Sequence, residues 1–153
     1  MAMGKRKSIE QPLFLTCNDL PRSEGHPFYM TVNRVLAESE FDRYVESACE
    51  KFYARVMGRP SVAPGVYFRM LLIGYCFGIR SERRLCDEVH LNLAYRWFCR
   101  LSLDGAVPDH STFSKNRHGF RQSDLFRRVF ECVLRRCIEE RLVGGEGLQS
   151  MRA

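Results

Sequence analysis

Between Val66 and Ile79 the chain is apolar at nearly every position, through Val66, Tyr67, Phe68, Met70, Leu71, Leu72, Ile73, Tyr75, Cys76 and Phe77. Pro64 suits a first helical turn, where its missing N–H costs nothing. Gly78 suits an end, so the pattern predicts a helix over about Pro64–Gly78. A helix that is apolar around its whole circumference offers no face to water and must be buried. This one is too short to span a bilayer, and it contains Arg69. The segment therefore predicts a central strut around which the remaining chain packs. Gly74 and Gly78 on such a helix mark close approach by a neighbour, and Gly78 also serves as a stop.

The flanking sequence is helical in period as well. A first short helix is expected over Tyr29–Glu38. Ser39 with Asp42 three residues later reads as a capping-box-like start. Phe41, Tyr44, Val45, Ala48, Cys49, Phe52 and Tyr53 then form an amphipathic stripe at i, i+3, i+4 spacing. Met57-Gly58-Arg59-Pro60 breaks it, and Ser61 can cap the strut. Ser81 caps a helix over Glu82–Val89, followed by another over Leu93–Cys99. After the loop Leu103–Pro108, Asp109 or Ser111 opens a short helix to about Gly119. Ser123 opens the last, running to about Leu142 before Gly144-Gly145. No segment alternates with a period of two, so the fold class expected is all-α: a compact multi-helix bundle containing helix-turn-helix-like elements. Residues 1–27 read as an N-terminal arm, 28–143 as the helical domain and 144–153 as a short tail.

Charge is distributed unevenly. The formal net charge is +6, yet residues 1–58 hold eight basic and eight acidic side chains and cancel. Residues 59–121 hold ten basic against five acidic. Twenty of the basic residues are Arg and four are Lys. Arginine's planar fork matches phosphate and guanine, although a GC-rich genome enriches it equally well. Arg80, Arg83, Arg84, Arg96 and Arg100 form a basic side on the two middle helices and suggest a phosphate-facing patch, in part offset by Glu82, Asp87 and Glu88. Ser111, Thr112, Ser114, Lys115, Asn116 and Arg117 open the following helix with hydroxyls, an amide and two cations, the types that meet DNA backbone and base edges. Phe113 and Phe120 anchor its other side.

Other chemistry finds little support in the residues. The seven cysteines include no CxxC and sit among apolar neighbours, as reduced thiols of a cytoplasmic protein do. Neither they nor the four His have zinc-ligand spacing. Asp104 and Asp109 are the one close acidic pair in a loop, and Asp109 is better explained as a helix cap. Neither a phosphate-binding loop nor a dinucleotide fingerprint is present, so no cofactor, metal or catalytic residue is expected.

Gly58-Arg59-Pro60-Ser61, the apolar helix reaching Gly74-Tyr75, the Ser81-Glu82-Arg83 start and the Pro108-Asp109-His110-Ser111-Thr112-Phe113-Ser114 run occur in an order that resembles the N-terminal domain of InsH-type insertion-sequence transposases. The resemblance covers roughly Pro27 to Gly145. It implies a helical domain that binds the element's inverted-repeat ends as double-stranded DNA, ahead of an RNase H-like DDE catalytic domain. In that family a strand bearing the first catalytic Asp follows the last turn. Here Leu148–Ala153 departs from that pattern and carries no Asp, so the expectation is a domain truncated before the catalytic residues and without catalysis of its own. Two alternatives stand beside it: a module that associates with itself or with a full-length transposase and restrains it, and the front half of an enzyme completed by frameshifting. No membrane partner is expected.

Overall fold

A computed structural model describes residues 27–53, 61–121 and 123–142. Among them run seven α-helices and no strand: α1 (Pro27–Glu38), α2 (Phe41–Cys49), α3 (Pro64–Cys76), α4 (Glu82–Leu91), α5 (Leu93–Phe98), α6 (His110–Arg121) and α7 (Leu125–Glu139). The all-α expectation holds. Of the arm expected over residues 1–27 only Pro27 is described, as the first residue of α1; the Met57–Pro60 break and the tail lie outside the described residues.

Helix α3 has the central place expected of it, with a different cross-section. Tyr67, Phe68, Met70 and Ile73 are buried, and so is Arg69. Leu71 and Leu72 are half-buried, whereas Tyr75 and Phe77 are exposed. The uniform burial expected of the strut is thus corrected. One side is core, and the other forms the floor of an apolar groove of about 240 Å³ against α7, lined by Leu71, Leu72, Tyr75, Phe126 and Phe130. Its buried side organises an aromatic cluster. Tyr67 lies 4.4 Å from Phe113 between ring centroids, and Phe120 meets Tyr67, Phe68 and Phe126, so α6 and α7 are pinned to α3 through rings.

Arg69 is the second organiser. Its Nε donates to Asp42 Oδ1 at 2.8 Å and its Nη2 to Asp42 Oδ2 at 3.0 Å. Its Nη1 donates to Asn33 Oδ1 and to the Phe98 carbonyl. A guanidinium 1% exposed is tolerable because four of its N–H directions are satisfied and a carboxylate neutralises it. One side chain of α3 thereby joins α1, α2 and the end of α5. Gly65 belongs to the same arrangement, since a Cβ there would stand 2.8 Å from Asp42 Oδ1. The capping role expected for Ser39 and Asp42 is not found. Glu40 is the N-cap of α2 with no side-chain cap bond, and the Asp42 carboxylate is committed to Arg69 and Arg100.

Several helix boundaries follow their caps. Ser81 Oγ accepts from the Arg84 N–H and Asp109 Oδ1 from the Ser111 N–H, as expected. Asn92 Oδ1 accepts from the N–H groups of Ala94 and Tyr95, a cap that marks the α4–α5 break. Ser61 does not cap α3, whose N-cap is Ala63 with Pro64 in the first turn. The stripe through Phe52 is not one helix, because α2 gives way to a 3₁₀ turn at Glu50–Phe52.

Candidate nucleic-acid interface

The α3–α4 corner is built by backbone hydrogen bonding and glycine. Gly78 takes φ 64°, and the Ile79 N–H donates to the Gly74 carbonyl at 2.8 Å, closing α3 with a left-handed cap. Gly74 then lets α4 approach: a Cβ there would lie 3.3 Å from the Ile79 carbonyl oxygen and 3.4 Å from Leu85. Leu85, Cys86 and Val89 bury one side of α4. Arg83, Arg84, Asp87 and Leu91 are exposed on the helix, and Arg80 is exposed in the turn before it.

Helix α6 braces the start of α4. Arg117 Nη1 donates to Glu82 Oε1 at 2.7 Å, and Ser114 Oγ donates to Glu82 Oε2. Burial pushes the Glu82 carboxyl up, but the hydrogen bonds from Arg117 and Ser114 and the Arg117 charge outweigh it, leaving the group below the usual carboxylate range. Arg83 Nη2 lies 3.3 Å from His110 Nε2, so the first turns of α4 and α6 are side by side.

The expected site residues therefore separate into groups. Arg80, Arg83 and Arg84 sit together and exposed at the head of α4, with Arg84 Nε 3.4 Å from Glu88 Oε1. Ser111 and Lys115 are exposed on α6, and Thr112 is half-buried there. Ser114 and Arg117 face Glu82 as described, and the Asn116 side chain exchanges a 3.1 Å hydrogen bond with Ser61 Oγ. Arg100 stands apart at φ 58°, with Nη1 2.8 Å from Asp42 Oδ2. Arg96 is removed from the surface altogether. It is 5% exposed, and its Nη2 donates to the carbonyls of Ser102 at 2.6 Å, Leu103 at 3.0 Å and Gly105 at 2.6 Å. The five-arginine patch expected from composition is thus reduced to three at the α4 head. Arg121, not singled out from the sequence, joins Arg117 and His118 around a small polar hollow beside Glu82. Its spacing four residues after Arg117 was the available signal.

Among the described residues no group of three or more His, Cys, Asp or Glu is placed to hold a metal ion. Burial pushes the Cys86 thiol up to about 11, with Asp109, Asp87 and Glu82 adding to the shift, and pushes Cys99 up to about 12 against the pull of Arg69. Neither is an activated nucleophile. No described helix is long and apolar enough to cross a membrane.

The fold and this surface define a small helical domain with three exposed arginines where two of its helices meet at a tight turn. Residues 18–119 match the family model described as a transposase domain (DUF772), and the chain belongs to that transposase-domain family. No curated protein and no solved structure matches the chain.

Proposed function

We propose that this domain binds the duplex ends of an insertion element, using α3, the turn at residues 77–81 and α4 as a helix-turn-helix. The observation that carries the reading is the triplet Arg80, Arg83 and Arg84, exposed around the start of α4 while α3 is fixed behind it. Lys115 and the Ser111 hydroxyl on α6 flank that start and meet the phosphate backbone; Asn116 and Arg117 contribute chiefly by holding α6 against Ser61 and Glu82. Catalysis is assigned to no residue of this domain. Of the acids near the site, Glu82 is engaged with Arg117 and Asp109 as a cap, while Asp87 stands exposed on α4.

The test is a competition binding titration of the full chain at two salt concentrations, with the inverted-repeat ends that flank the gene and a scrambled duplex. Preference for the ends, together with affinity that falls as salt rises, is expected. Equal affinity for both duplexes would reduce the domain to a backbone binder, and no binding at low salt would remove the DNA reading.

A second reading, self-association or association with a full-length transposase, is favoured by the groove between α3 and α7. Tyr75 is 63% and Phe130 45% exposed there, an apolar pair with its rings in edge contact. Sedimentation of the chain and of Tyr75→Lys tests the self-association: a dimer lost in the variant supports it, and a monomer at all concentrations ends it.

A further inference from the structure

We infer that Asp87 is a specificity-determining residue of this surface, accepting a hydrogen bond from an exocyclic amino group of a base in the major groove, cytosine N4 being the fit. The inference rests on the DNA reading above and concerns its selectivity.

Asp87 is exposed on α4, three residues after Arg84 and four after Arg83, the spacings at which a helical carboxylate ordinarily pairs with a cation. Neither arginine pairs with it. Arg84 turns to Glu88 and Arg83 to His110. Among the described residues Asp87 has no ion pair and no hydrogen bond, so its acceptor oxygens face solvent one helical turn from the exposed Arg83 and Arg84. It also borders a shallow polar hollow with Arg83, His90, Asp109 and His110.

A carboxylate on a phosphate-binding face repels the backbone and lowers affinity for every sequence. What offsets that cost is a donor, and in the major groove the donors are the amino groups of cytosine and adenine. An ionised carboxylate accepts and cannot donate, whereas adenine presents an acceptor beside its amino group. Cytosine therefore suits Asp87, and adenine would suit an asparagine in its place. The neighbouring arginines hold the phosphates while the acid penalises sequences that offer it no amino group.

The experiment measures binding of the full chain to a panel of element-end duplexes in which each base pair is replaced in turn. The unaltered chain should lose on the order of 5- to 150-fold at one C·G pair. Asp87→Ala should reduce that discrimination to about twofold and bind the scrambled duplex as well or better. Asp87→Asn should move the preference at that pair toward A·T. Glu46→Ala, which changes net charge equally at an exposed site on α2, should leave the profile unchanged. A uniform change on all duplexes for Asp87→Ala would overturn the inference while leaving DNA binding intact. Failure of the unaltered chain to bind any duplex would remove the DNA reading itself and this inference with it.

Discussion

Arginine does two opposite things in this domain, and the contrast lies between the α1–α2–α3–α5 corner and the head of α4. In the corner, Arg69 and Arg96 are buried, and the Arg69 fork and the Arg96 Nη2 group donate to the protein itself, to a carboxylate, an amide and four backbone carbonyls. At the head of α4, Arg80, Arg83 and Arg84 stay in water with weak partners or none. Local density of arginine in the sequence does not separate the two sets, since Arg96 lies in the same basic stretch as Arg83. Acceptors separate them: a guanidinium surrounded by fixed oxygens becomes a structural clasp, and one without them remains available to a phosphate.

The clasp should break hardest. Asp42→Ala leaves Arg69 buried without its counter-charge and also releases Arg100, so a loss of about 3–5 kcal/mol is expected in urea denaturation. A loss below about 1 kcal/mol would mean that Arg69 is reached by water and is no clasp. Arg96→Ala comes next. It strips three carbonyls of the Ser102–Gly105 loop of their donor, and hydrogen bonds to a charged group are worth about 1.5–3 kcal/mol. The expected readout is a lower Tm accompanied by new protease cleavage in that loop, with the aromatic cluster retained.

Local pattern made much of this fold readable. The periodic apolar residues locate the helices, and the caps at Ser81 and Asp109 are legible because capping acts within three residues. Long-range pairing was not readable. Asp42 looked like a capping-box acid from its distance to Ser39, but Arg69, remote in sequence, offers two charge-assisted bonds, more than an exposed backbone cap bond is worth. Arg96 looked like a surface cation because its acceptors are main-chain carbonyls, which no residue type announces. Helix α3 looked apolar all round and so fully buried, yet the bundle covers one side and leaves Leu72 half-buried. For the candidate site, the types at the α4 head were legible; the engagement of Asn116 and Arg117 required the packing of α6 on α4.

Between the two arginine sets stands Arg117, partly exposed and bonded to Glu82. Because the folded Glu82 carboxyl lies below its unfolded value, its stabilisation is present above the unfolded pKa near about 4.3 and is lost as pH falls through the lower folded value. Glu82→Gln should therefore destabilise modestly at pH 7, and the difference from the unaltered chain should shrink as pH falls below the unfolded carboxylate pKa. Denaturant titrations at pH 7 and below that pKa decide this. A difference independent of pH would show that Ser114 and the shape of the side chain, not its charge, brace α4.

The smallest effect on stability is expected where the functional effect is largest. Arg83 and Arg84 are exposed, and Arg84 meets Glu88 only at 3.4 Å, so replacing both by Ala should cost within about 0.5 kcal/mol apiece. If each meets one phosphate, the slope of log affinity against log salt should flatten by about 0.9 for each, on cognate and scrambled duplex alike. Asp42→Ala measured under conditions where it remains folded supplies the opposite pattern, with lowered stability and an unchanged slope. Loss of stability in the Arg83/Arg84 variant comparable to that of Arg96→Ala would erase the distinction between clasp and contact. An unchanged slope in a stably folded variant would instead move the phosphate contacts away from α4, toward Lys115 and Arg121 on α6.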